Sequence, residues 1–175
     1  TLTGDNLYTG ATTVSEGTLL VNNATGSGTG YGAVNVGING TLGGAGTIYG
    51  PTTISGHHTP GTSAGIQTIT NDLTYNAGSD VTWELVANTD AQGSPAAVFD
   101  QIVGVFMLDF AGTTKMILKF NSDGSTVDWT DAFWGTHQSW LVYDAGSTSN
   151  ITNLSVKEEN WPDSTTALFD TAHPG

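Results

Sequence analysis

At 175 residues, with no cysteine, no arginine and three lysines against 16 carboxylates, the chain carries a formal charge of −13. That balance excludes nucleic acid and an anionic membrane surface, which are held by clustered basic side chains. It also removes disulfides, thiolate chemistry and cysteine-type zinc sites together. Hydrophobic content of 37% with 24 glycines is low for a spherical core, yet enough for a thin one in which each turn of chain contributes a few inward side chains.

Thr1 to Thr9 alternates weakly and has no helix-starting pattern, so it is expected as an extended, uncapped edge. Ala11-Thr12-Thr13-Val14-Ser15-Glu16-Gly17 then has a near-copy 40 residues later in Pro51-Thr52-Thr53-Ile54-Ser55-Gly56, and Gly32 to Gly37 repeats the motif halfway between them. Val14, Val34 and Ile54 are spaced by 20, and Leu73 follows 19 later. A fixed period in this range marks a repeat architecture whose units bury their apolar faces only against one another. Short β runs punctuated by glycine narrow this to a β-solenoid. Its inward residues are expected to be Val14, Leu19, Val34, Leu42, Ile48, Ile54, Ile66 and Leu73. Between the strands, Asn22 to Gly30 reads as a linker and Asn39-Gly40 as a tight reversal. His57 to Gly65 reads as a loop that departs from the rhythm.

From Leu73 onward the strands lengthen, with Leu73 to Leu85 and Leu108 to Phe120 matching in outline as strand, turn, strand. The polar stretch 88–98 reads as an excursion. It divides solenoid repeats over 1–87 from continuing strands and an aromatic-rich cap over 99–175. In that last part Trp129, Phe133, Trp134, Trp140, Tyr143 and Trp161 are expected to plug the open end, since exposed ladders aggregate. Ile102 to Phe110 is too short to span a bilayer and is interrupted by Asp109, so no membrane insertion is expected. The chain opens on Thr1 without a signal-peptide pattern, which reads as a piece of a longer precursor.

The run Leu2 to Asn23, with Thr25 to Gly30 and Gly40 to Ile48, resembles the autotransporter-associated β-strand repeat, also called the passenger-associated transport repeat. The likeness covers Leu2 to Gly65. The remainder, with Trp83-Glu84-Leu85, Phe99 to Ile102 and Val127 to Trp134, looks like the C-terminal region of secreted bacterial proteins that carry this repeat before a PEP-CTERM sorting tail. The resemblance implies export, a right-handed parallel β-helix with turns of roughly 20 residues, and a role at or beyond the cell surface. It brings no catalytic residues.

His57 and His58 point to opposite faces if they lie on a strand, so both ligate one metal only from a loop. Asn121 to Ser125 is oxygen-rich but lacks the carboxylates of a calcium loop. The acidic surface leaves room for a structural calcium ion at no identifiable residue, and no cofactor is expected. Asp128 with Asp131, or Glu158 with Glu159, are the pairs available for glycosidase chemistry, and no nucleophile elbow or phosphate loop accompanies them. Trp129, Trp134 and Trp140 are candidates for sugar stacking. Asn23, Asn39, Asn150 and Asn153 each open an N-glycosylation triplet. The expected function is therefore a non-catalytic extracellular structural protein. It would form a homopolymer (a fibre or surface layer) through an assembly edge at Thr1, Leu2, Thr3, Leu7 and Tyr8. The alternative is an adhesin or glycan-binding module whose partner is an extracellular polysaccharide.

Overall fold

The computed structural model describes residues 1–93, 97–120 and 127–158. Its strands are β1 (Thr12–Leu20), β2 (Val34–Gly44), β3 (Thr47–Ile48), β4 (Thr52–Ile54), β5 (His57–Pro60) and β6 (Ile66–Ile69). They continue with β7 (Leu73–Tyr75), β8 (Asp80–Leu85), β9 (Gln101–Phe110), β10 (Thr114–Phe120), β11 (Tyr143–Ser149) and β12 (Leu154–Glu158). The protein is all-β. These strands form one large, mostly parallel sheet of twelve that does not close into a barrel. Helix among the described residues is confined to short 3-10 turns, such as Ala132–Gly135 and Ile151–Asn153.

Pairing runs along three lines, which the chain visits in turn. The first joins residues 12–14, 34–36, 52–54, 73–75 and 108–110, and ends with Ser149 beside Asp109. The second joins Glu16 to Leu20, the second half of β2, then β5, β8, β10 and β12. The third begins with Leu2 against Val21 and the Asn6 amide on the Ser27 carbonyl. It continues through Gly28 bonded to Thr47, β3, β6, the start of β9 and Tyr143. β1, β2, β9 and β11 therefore each serve two lines, bending between them.

The near-copies seen in the sequence are the first line. Thr12-Thr13-Val14, Val34-Asn35-Val36 and Thr52-Thr53-Ile54 stack in register, followed by Leu73-Thr74-Tyr75 and Leu108-Asp109-Phe110. Outer members point in and the middle one points out, as the two-residue period of a strand dictates. The vertical partners differ from the even spacing read earlier. Val14 sits on Val36, then Ile54, Tyr75 and Phe110, giving steps of 22, 18, 21 and 35. The step from Asp109 to Ser149 is 40. The intervals grow because 86–99 and 127–142 are inserted between lines, not because the stacking changes.

Of the inward residues expected, Val14, Val34, Leu42, Ile48, Ile54 and Leu73 are buried, while Leu19 is half-buried. Ile66 is a correction: it is half-buried, and the residue turned fully inward is its neighbour Gln67, followed by Ile69. A one-residue shift on a strand exchanges faces completely. His57 to Pro60 is likewise strand β5 rather than loop. Glycine is required where the third line turns into the first. A Cβ on Gly32 would lie 2.1 Å from the Gly10 carbonyl oxygen, and one on Gly50 would lie 1.9 Å from that of Gly32.

Candidate functional site

The residues with chemical potential are scattered. Asp128 and Asp131 are both exposed and serve local turns: Asp128 accepts from the Thr130 hydroxyl and amide, and Asp131 accepts from the Phe133 amide. The Thr130 hydroxyl first, and its amide next, hold the Asp128 carboxyl below the usual range. Asn121 to Ser125, Glu159 and Trp161 lie outside the described residues, as does the side chain of Glu158. No group of three or more His, Cys, Asp or Glu side chains gathers about one point among the described residues. No helix among them is long and apolar enough to cross a membrane.

His57 and His58 point to opposite faces of β5, as adjacent strand residues must. His57 is exposed, with Nδ1 2.7 Å from Asp80 one rung along. His58 is fully buried and lies in a directional polar chain. Gln67 Nε2 donates to the carbonyls of Gly43 and Gly44, so its Oε1 accepts from His58 Nε2–H at 2.6 Å. That leaves His58 Nδ1 as an acceptor for the Tyr75 hydroxyl at 2.6 Å, and Tyr75 in turn accepts from Tyr143 at 3.2 Å. Every buried polar atom in this chain is matched, which is the condition for tolerating it in a core. Burial pushes the His58 imidazole down to about 4, against the opposing bond to Gln67. It likewise raises Tyr75 well above the phenol range. The Tyr75 ring stacks on Phe110 at 5.3 Å, and Tyr143 meets both rings edge-on. The network joins several rungs into one body. It has no exposed reacting atom, so its part is structural.

Asp100 is the second buried titratable group. Its two oxygens accept from the amides of Gly65 and Glu84 at 2.8 and 2.9 Å, tying the third line to the second. Burial pushes this carboxyl up to about 8; the two amides oppose the shift and the Glu84 charge adds to it.

The aromatics of 129–140 are half-buried. Trp140 meets the buried Trp83 and donates its indole N–H to the Thr89 carbonyl, and Trp134 reaches Asn88 and the buried Phe120. They fasten 127–142 to the 86–93 excursion and to the core. Aromatic rings at the surface are found elsewhere. At the corner where the third line turns into the first, Tyr8, Tyr31, Tyr49 and Phe106 follow one another, with Asn71 between the last two. Tyr31 bonds to Tyr8, Asn71 to Tyr49 and Phe106 to Asn71. Tyr31 is 55% and Phe106 73% exposed.

The four asparagines of the glycosylation triplets are not alike. Asn23 is buried, with its amide on the Thr25 and Gly26 carbonyls and its oxygen on Thr47 N–H. Asn150 is exposed but donates to Asp109, and Asn153 donates to the Phe110 carbonyl. Asn39 is exposed at a β2 bend and its side chain bonds to none of the described residues.

What remains is the pair of ends. Of the assembly-edge residues, Leu2 already bonds inward: its amide donates to Leu20 and its carbonyl accepts from Asn22. Leu7 is 71% exposed and Tyr8 is exposed, with its hydroxyl on Thr12. Thr1 and Thr3 are exposed beside them. The edge the sequence reading missed is β1, whose Thr12 to Leu19 side away from β2 has no strand beside it among the described residues. That edge rims an open depression of about 510 Å³ in which Leu2, Tyr8, Val14 and Leu19 lie among the polar side chains of β1, Glu16 included. At the far end β11 and β12 have described partners on one side only. No family model, curated protein or solved structure matches the chain.

Proposed function

We propose that the chain is a right-handed parallel β-solenoid, the non-catalytic structural subunit of a self-assembling extracellular fibre or surface layer. The observation that carries the reading is the unpaired β1 edge over an open, partly apolar depression, at the end of the parallel strand ladders. A row of unpaired N–H and C=O groups is a template for another strand, and a heterologous contact of that kind grows an open filament. The titratable groups described above support the non-catalytic part, since His58, Tyr75 and Tyr143 bond among themselves, Asp100 is held by two backbone amides, and Asp128 and Asp131 serve turns. Export rests on the resemblance to the autotransporter-associated repeat. Electron micrographs of purified protein at varied salt and calcium are expected to show fibres. Uniformly isolated monomers under every condition would defeat the assembly reading.

A second reading, an adhesin or glycan-binding module, is favoured by the corner column in which Tyr8, Tyr31 and Phe106 are exposed and Tyr49 is half-buried, because sugars stack on exposed rings. It expects a tyrosine fluorescence change on titrating neutral polysaccharide, weakened at least several-fold by Tyr31→Ala. An unchanged signal across neutral polysaccharides would remove it.

A further inference from the structure

The first and second lines of pairing each hold six described rungs, from β1 at one end to Ser149 and β12 at the other. Every strand pairing along them is parallel.

Side chains mark both ends. One inward column runs Leu19, Leu42, His58, Val81, Met116, Val156. Its interior members are buried, whereas the two terminal ones are not: Leu19 is half-buried and Val156 is 40% exposed. A parallel column of outward small polar residues runs Thr13, Asn35, Thr53, Thr74, Asp109, Ser149.

We infer that the occupant of the β1 edge is a second copy of this chain, seated by its β11–β12 end in unbroken register. A copy displaced by six rungs, about 29 Å along the axis at the usual strand spacing, sets Ser149 against Thr13 and Val156 against Leu19. Both terminal apolar side chains are covered, and the ladder polarity is preserved because every strand pairing is parallel. The inference rests on the fibre reading and adds where the joint lies, which residues meet and in what register.

Two substitutions at opposite ends test it. Thr12 N–H donates to Ala33, so along the extended strand the Thr13 N–H points to the open edge. Thr13→Pro removes a donor that no described residue uses, at the sort of position where a strand tolerates proline. Val156→Asp places a charge on the exposed tip of the apolar column. Each variant alone should remain monomeric by sedimentation, with a thermal transition like that of the parent. An equimolar mixture should form dimers and nothing longer, since each variant keeps one working end. Val156→Ile should still form fibres. If Thr13→Pro or Val156→Asp makes fibres as the parent does, the joint is elsewhere and the fibre reading stands. If the parent chain stays monomeric at every salt and calcium concentration, both fall.

Discussion

His58 occupies a position where a leucine or valine would fit the column, between Leu42 and Val81. Its neighbours give it one tautomer and one orientation, so removing a single hydroxyl breaks the chain of donors at two points. Tyr75→Phe deprives His58 Nδ1 of its donor and Tyr143 of its acceptor. It is expected to lower unfolding free energy by about 1–3 kcal/mol, read from chemical denaturation. The two buried titratable groups act oppositely with pH. His58 titrates at about 4 when folded against 6.5 ordinarily, so its contribution is present above 6.5 and lost as pH falls towards 4. Asp100 is raised from 3.8 to about 8, so its contribution is present below 3.8 and lost as pH rises towards 8. Between about 4 and 6.5 the two slopes offset one another; above that, Asp100 alone remains and stability declines towards pH 8. Asp100→Asn should abolish the decline between about pH 6.5 and 8 while lowering stability throughout, because its Nδ2 would face a backbone N–H. A decline that survives in this variant would place its origin elsewhere.

The strands were legible to the extent that their residues alternate. Thr12-Thr13-Val14 and Thr52-Thr53-Ile54 show the two-residue period and the repeat together, and they stack as read. An even step of 20 hides steps of 22 and 18, so Val36 rather than Val34 holds the place against Val14. Hydrophobicity alone assigns Ile66 to the inward face, and a core glutamine such as Gln67 is recognisable only once His58 is known to lie beside it. The terminal β1 edge was equally hidden, since a sequence shows which strand comes first but not which rung its predecessor fills. Corners were legible as glycine, without the reason. Gly50 is needed because its neighbour rung passes within a Cβ's reach, and Gly50→Ala should cost about 2–4 kcal/mol. A melting temperature within a degree or two of the parent would show that the corner can yield.

At the scale of the whole molecule, stacking and charge oppose each other. Sixteen carboxylates against three lysines repel any second copy, and the repulsion is screened over about 10 Å at 0.1 M salt. Association should therefore strengthen as sodium chloride rises from about 0.01 to 0.5 M, the reverse of an ion-pair interface. Light scattering that falls over this range would indicate attraction between charges instead.

The scarcity of lysine has a further consequence once its placement is known. Lys115 and Lys119 lie within β10, which is flanked by β8 and β12, and Lys157 lies on β12 at the end of the second line. A protease that cleaves after basic residues must draw its substrate out as an extended strand, and two of its three sites are held between neighbours on both sides. Those two sites should resist such digestion for as long as the stack stays folded, so that the rate of cleavage within β10 reports the rate at which the body opens.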